Sequence, residues 1–169
     1  PRGSTPPGSW RSRRRYGAWF LRVPHPDSQQ VKRPDAGALT RLASLRTSLA
    51  GTPEPDVRRL LELPAPTEPA DASRAEERLV CAALAAGLTL PRAHLAAAVR
   101  TSLARLEEQH PGKLVEVRIP PFGAVQIGMV GVASAHTRGT PPNVVETDAA
   151  TWLLLVSRHL SWHDARADH

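Results

Sequence analysis

The sequence predicts an α+β fold, because helical periodicity fills one stretch of the chain and strand periodicity the next. Apolar residues recur every three to four positions between Ala72 and Leu106, the spacing of one buried helical face. Between Leu114 and Ile119 the period falls to two, as in a strand with one buried side. A further apolar helix with an acidic N-cap is predicted to begin after Asp148.

Composition divides the 169 residues into three segments. Residues 1–37 combine Pro, Gly, Ser and Arg with few apolar residues, so we expect this basic segment to be disordered. Residues 38–70 are expected to form short amphipathic helices followed by a Pro-rich linker at Pro64–Ala70. Residues 71–169 are expected to form the α+β domain.

Three well-marked helices precede the first predicted strand. Gly51 and Pro53 are placed to end the first, Gly87 the second, and the His110-Pro111-Gly112 turn the third. A shorter apolar turn, Val57–Leu63, follows the first helix. The predicted inward residues are, in order, Leu39, Leu42, Leu45 and Leu49; Ala75, Leu79, Ala82, Ala83 and Ala86; and Leu95, Ala98, Val99, Ser102, Leu103 and Leu106.

Three strands and a final helix are predicted next. Val115, Val117 and Ile119 alternate with polar residues, and Pro120-Pro121 ends this first strand. Residues 122–132 supply a second strand, whose glycines permit a bulge or close approach of a ligand, and residues 143–146 a third. In the following helix the inward stripe is Trp152, Leu153, Val156 and Leu160, while Leu154 and Leu155 make further faces apolar.

The net charge of +6 is concentrated near the start of the chain, above all at Arg11, Arg13, Arg14 and Arg15. Such a run attracts nucleic-acid phosphates or anionic lipid head groups, and it is also typical of a solvated tail. Interleaved aromatic residues such as Trp10 would suit either base stacking or insertion at a membrane surface.

One cysteine, Cys81, excludes an intrachain disulfide, so the fold must be stable without crosslinks. Cys81 is predicted to be a small core residue in a reducing compartment. No stretch approaches the run of about 18 apolar residues that a membrane helix needs. We therefore expect a cytoplasmic protein.

The residue types that catalyse reactions or bind metals do not form a motif here. The seven histidines include no HExxH pattern, and a single cysteine excludes a thiolate zinc site. Ser134, His136 and Asp148 have the residue types of a catalytic triad but lack the nucleophile-elbow pattern. We therefore expect no catalytic residue, no metal, no cofactor and no enzymatic activity.

Two stretches resemble a known family. Residues 115–126, VEVRIPPFGAVQ, and residues 136–148, HTRGTPPNVVETD, resemble the actinobacterial sterol-carrier-like family, the bacterial sterol carrier protein ortholog domain. Residues 148–157 and 160–165 are similar to the family's next helix and turn, so the resemblance covers residues 93–165. It implies a mainly antiparallel sheet of about five strands covered by helices around an apolar cavity, with acyl chains, acyl thioesters or sterols as ligands.

The sequence departs from the family pattern in two places. The connection between Gln126 and His136 is longer than in the family. The family also continues beyond Ala165 with a strand and a helix, so we expect residues 71–169 to form a sterol-carrier-like domain that lacks both. That loss would expose apolar surface near Trp152 and Leu155. We therefore expect self-association or a partner protein that covers the helix at 148–160.

These features predict a noncatalytic carrier or binding module for an apolar ligand, a fatty acyl or sterol-like lipid. Arg138 and Asn143 are predicted to lie at the mouth of the pocket, although Arg138 would equally pair with Glu146 or Asp148. One alternative function is that of an accessory C-terminal domain in a thiol-dependent isomerase-like protein. Another is binding of an anionic surface by the basic segment, with nucleic acid the less expected partner. The predicted pocket lining is Phe122, Val125, Ile127, Trp152, Leu155 and Val156.

Overall fold

A computed structural model of the chain describes residues 35–128 and 143–167, and it confirms the α+β class. The predictions for the basic segment and for Arg138 concern residues outside these ranges. Within them the chain forms six helices and three strands. In order, these are α1 (Ala38–Leu49), α2 (Pro55–Glu62), α3 (Pro69–Ala85), α4 (Arg92–Gln109), β1 (Pro111–Ile119), β2 (Gly123–Ile127), β3 (Asn143–Glu146), α5 (Ala149–Val156) and α6 (Trp162–Ala167).

Helix α1 buries a slightly different face from the predicted one. Leu42, Leu45 and Leu49 are buried as expected, but the stripe continues to Ala38, and Leu39 is 36% exposed. Both residues fit the helical spacing, since Ala38 is four positions and Leu39 three positions before Leu42. The pattern in α1 alone therefore did not distinguish them.

Helix α3 lies at the centre of the helical layer, in contact with α1, α2, α4 and α5. It begins at Pro69, because proline suits the first turn of a helix, where no intrahelical hydrogen bond is needed from its nitrogen. It ends as predicted at Gly87, whose positive φ of 75° closes the helix. The amides of Gly87 and Leu88 donate to the carbonyls of Leu84 and Ala83, which makes a Schellman motif.

The three strands form one sheet in the order β2-β1-β3, with β2 antiparallel and β3 parallel to β1. The resemblance implied about five strands, and the described residues form three. The Pro120–Pro121 bond between β1 and β2 is cis, and the Phe122 amide donates to the Ile119 carbonyl across this turn at 2.7 Å.

The predicted alternation in β1 is confirmed. Val117 and Ile119 are buried, and α4 contacts both β1 and β2, so the apolar face of the sheet packs against helix. We call this the inner face. On the outer face, Arg118 donates to the Glu116 carboxylate at 2.8 Å. This hydrogen bond raises the pKa of Arg118, with partial burial acting in the opposite direction.

The glycines near the other end of β1 allow two backbone segments to touch. A Cβ atom on Gly112 would lie 2.5 Å from the Gly128 Cα, and Gly112 has a φ of 152°. The register between β1 and β2 shifts there, between Pro111 and Val115. Gly128 therefore approaches the backbone of the first strand at an irregular register, whereas the sequence predicted that these glycines would permit a bulge or close approach of a ligand.

Helix α5 has the predicted acidic N-cap. The Asp148 carboxylate accepts hydrogen bonds from the Ala150 amide at 2.8 Å and from the Thr151 amide at 3.1 Å. Partial burial acts to raise the pKa of Asp148, but the hydrogen bonds from Thr151 and Ala150 outweigh it and hold the pKa below its usual value. Helix α5 packs against α3 and α4.

Candidate functional site in the sterol-carrier-like segment

The inner face of the sheet is covered unevenly along its length. Ile119 is fully buried and Val117 is 4% exposed, whereas Val115 is only half-buried. One reason is the close approach of α4 at the covered end, where a Cβ atom on Gly123 would lie 3.3 Å from the Leu103 Cδ1. The apolar surface of the inner face is therefore less protected toward Val115 than toward Ile119.

Pairing between the strands identifies the residues at the less protected end. Val117 is paired with Val125 and Val145, and Val115 is paired with Ile127 and Asn143. Directly paired residues on neighbouring strands point to the same side of a sheet. Val125, Ile127 and Val145 are half-buried and pack against the core, while Asn143 is exposed. We call these four residues and Val115 the open end of the sheet: Val115, Val125, Ile127, Asn143 and Val145.

Two predicted pocket residues, Val125 and Ile127, thus lie together at the open end. A third, Phe122, precedes β2 and is half-buried against the same core. The Arg92 guanidinium lies 5.4 Å from the centre of the Phe122 ring, a cation–π contact that fixes the start of α4 against the β1–β2 turn.

The other three predicted pocket residues are on α5, and they differ in exposure. Trp152 is 7% exposed, because it belongs to the core and its indole N–H donates to the Ser102 hydroxyl at 2.8 Å. The expectation of exposed apolar surface is therefore wrong for the Trp152 side chain. Val156 is half-buried and packs against the core, and Leu155 is half-buried outside the core cluster.

The predicted polar mouth is represented by one described residue. Asn143 is at the end of the row that contains Val115 and Ile127, and its amide group donates to the Leu114 carbonyl at 3.4 Å. The open end therefore combines four half-buried aliphatic side chains with one exposed amide. No acid, base or nucleophile is among these five residues.

A scan against protein families matches residues 91–169 to a family described as the bacterial SCP ortholog. These residues, 91–169, are therefore similar to a sterol-carrier-like family, and we call them the SCP segment. The match includes α4, the whole sheet, α5 and α6, so the open end lies entirely inside the SCP segment. A search of curated proteins found no match.

Buried charged residues join the SCP segment to the helices before it, and the sequence reasoning missed them. Glu76 on α3 is fully buried, and its carboxylate contacts the His94 Nδ1 at 2.7 Å. It also accepts hydrogen bonds from the Nε of Arg41 at 3.2 Å and from its Nη2 at 3.1 Å. Arg41 in turn donates to Asp35, which lowers the pKa of Asp35. The Glu76 carboxylate is buried from solvent. It therefore connects α1, α3 and α4 and is not accessible to a substrate.

A second buried carboxylate, Glu77, forms a bidentate ion pair with Arg105 of the SCP segment. The two Arg105 Nη atoms donate to the Glu77 oxygens at 2.6 and 2.7 Å. The hydrogen bonds from Glu77 raise the pKa of Arg105. Cys81, one turn further along α3, is buried as predicted, and its thiol donates to the Leu153 carbonyl at 3.5 Å. Burial, with a smaller contribution from Glu77, raises the pKa of Cys81 to about 11. The thiol is therefore protonated and unreactive at neutral pH.

The helical period contained a signal for Glu76. Ala72, Leu79 and Ala83 are all buried, and Glu76 lies between them at helical spacing, so it is part of the same stripe. A carboxylate on an apolar stripe requires a buried partner.

No helix in residues 35–128 or 143–167 is both long enough and apolar enough to cross a membrane.

Proposed function

We propose that the SCP segment binds an apolar ligand, a fatty acyl or sterol-like lipid, at the open end of the sheet and performs no chemistry on it. The observation that carries this proposal is the uneven cover of the inner face. Val115, Val125, Ile127 and Val145 are apolar and ordered in a sheet, yet each remains half-buried. The match of residues 91–169 to the bacterial SCP ortholog family supports the same class of ligand.

Burial of this remaining surface would drive binding. Removing about 100 Å² of apolar surface from water contributes roughly 2.5 kcal/mol, before the cost of ordering the ligand. A flexible acyl chain loses conformational freedom on binding, whereas a rigid sterol loses little. The two ligand types are therefore best compared directly in the same assay.

The composition of the open end supports carriage in preference to catalysis. Its one polar side chain is the Asn143 amide, which is suited to a hydrogen bond with a carboxyl or hydroxyl group of a ligand. An amide does not act as a general base at neutral pH, and the four aliphatic side chains supply no proton-transfer group. The protein is accordingly proposed to be a binding protein, and its cytoplasmic location stays a prediction. A partner that covers α5 remains a prediction.

The test is a pair of isosteric substitutions on opposite faces of the sheet. Val125→Thr places a hydroxyl group in the open end, and Val144→Thr places one on the outer face, where Val144 is 46% exposed. Both keep a β-branched side chain. Burying an unpaired hydroxyl costs about 1–3 kcal/mol, so Val125→Thr should weaken binding of a fluorescent fatty acid or sterol at least about fivefold. Val144→Thr should leave the affinity unchanged.

Saturable binding of either probe at one site per chain, with this difference between the variants, would support the proposal. Equal effects of Val125→Thr and Val144→Thr would remove the open end as the site. Failure of both probes to bind the unmodified full chain would reject the proposed function itself.

A further inference from the structure

A separate groove lies outside the SCP segment, between α1, α3 and the end of α2. Its volume is about 370 Å³. Its apolar lining includes Leu42 of α1, Leu60 of α2, and Ala75 and Leu79 of α3. The chain that follows α2 contributes Pro64 to the wall. Drug-sized ligands occupy pockets of about 300–1,000 Å³, so the groove has room for a small molecule with one short chain.

The rim of the groove is positively charged. Arg74 and Arg78 lie four residues apart on α3, so both are on the side of the helix that carries Ala75 and Leu79. Both are exposed, and neither makes a hydrogen bond or ion pair with another residue of the described ranges. Asp71 is the one acidic residue of the rim. The two guanidinium groups are therefore available to a ligand.

A third arginine of the groove, Arg46, makes hydrogen bonds within the protein. It donates to the carbonyls of Leu61 and Leu63, the second at 3.1 Å, and so ties the end of α2 to α1. These contacts fix the groove walls relative to each other. Its positive charge still adds to that of Arg74 and Arg78 against the single charge of Asp71.

We propose that this groove binds an anionic amphiphile with a single short alkyl chain. The chain would lie on the apolar floor, and Arg74 and Arg78 would contact the anionic head group. A volume of about 370 Å³ is in the range of small-molecule pockets, which favours a small ligand over a docked protein. The shared chemistry of the head group is an oxyanion, carboxylate or phosphate, since a guanidinium group pairs with either. This site is independent of the open end of the sheet.

The experiment is a titration of the full ¹⁵N-labelled chain, followed by the amide signals of both sites. The probes are decanoate, decyl phosphate, decanol and decyltrimethylammonium, all below their micellar concentrations. The amides of Ala75 and Leu79 report on the groove, and those of Val125 and Ile127 report on the open end. Binding at one site is thereby separated from binding at the other, so either proposal fails independently.

Two variants and one control test the residues. The double variant R74Q/R78Q removes both rim charges, while R58Q/R59Q removes two exposed charges of α2 that do not line the groove. Ala75→Leu fills the floor without a change of charge. Exposed charge pairs contribute modestly, so R74Q/R78Q should weaken binding about fivefold. Ala75→Leu should abolish the shifts at the groove and preserve those at the open end.

The proposal holds if decanoate, decyl phosphate or both shift the groove amides saturably and the R58Q/R59Q control binds normally. Binding of only one of these two probes would identify the preferred oxyanion. Equal affinity for decanol or decyltrimethylammonium would overturn the proposal, as would unchanged affinity in R74Q/R78Q. Shifts confined to the open end, or absent below the micellar concentration, would overturn it too.

Discussion

Replacing Glu76 with alanine should destabilise the protein more than any exposed substitution on the same helices. The carboxylate is fully buried and contacts the His94 ring at 2.7 Å and two nitrogens of Arg41. Its loss would leave the His94 Nδ1 and the Arg41 Nε without their carboxylate partner. Breaking a buried charge pair from one side costs about 3–5 kcal/mol.

The geometry favours the lower end of that range. The Arg41 side chain is partly exposed and would keep its 2.8 Å contact with Asp35, whereas His94 is nearly sealed. We therefore expect Glu76→Ala to lower the free energy of unfolding by about 3 kcal/mol. Glu76→Gln keeps an oxygen acceptor but removes the charge, so its cost should be about half as large.

The assay is urea unfolding followed by far-ultraviolet circular dichroism, with the slope of the transition checked for each variant. Glu108→Ala on α4 is the control, because Glu108 is exposed and surface substitutions change stability by about 0.5 kcal/mol or less. Adding Arg41→Ala completes a double-mutant cycle with Glu76→Ala. A Glu76→Ala cost within about 1 kcal/mol of the control would refute the structural role of the carboxylate.

Three further predictions concern single residues. Ser102→Ala leaves the buried Trp152 N–H without its acceptor and should cost about 1–3 kcal/mol by urea unfolding; a neutral result would contradict that hydrogen bond. Asp148→Ala should cost about 1 kcal/mol at neutral pH through loss of the N-cap. Hydrogen bonds lower the pKa of Asp148 despite its partial burial. This stabilisation is therefore complete above the unfolded pKa of about 4 and is lost as the pH falls through the lower folded pKa. If wild type and variant still differed in unfolding free energy in acid, that result would count against the N-cap. Cys81, with its pKa raised by burial to about 11, should resist iodoacetamide at neutral pH until urea unfolds the chain, and rapid labelling of the folded protein would contradict its burial.

Local patterns made much of the fold predictable from sequence. The alternation at Val115, Val117 and Ile119 fixed the inner face of β1, Asp148 marked the start of α5, and Gly87 marked the end of α3. Each of these signals depends on residues close together in the chain.

The features that escaped prediction depend on distant partners. The pairing of β1 with β3 brings Asn143 beside Val115, 28 positions apart, and no local pattern specifies that β3 is parallel. The burial of Trp152 likewise involves Ser102, fifty positions earlier, whose hydroxyl accepts the indole N–H. The open end was therefore only partly predictable from the sequence. Its apolar residues follow from the alternation within each strand, but the position of its polar residue depends on the register between strands.

Charged residues in the core link the SCP segment to the helix that precedes it. His94 and Arg105 belong to the SCP segment, but their carboxylate partners Glu76 and Glu77 are on α3, before the family match starts. Without α3, His94 and Arg105 would lose their carboxylate partners, and the buried face of α4 would lose its contact with α3. The SCP segment is therefore joined to α3 both by packing and by two buried carboxylates. The sheet that carries the open end is held against a helical layer that the family match covers only in part.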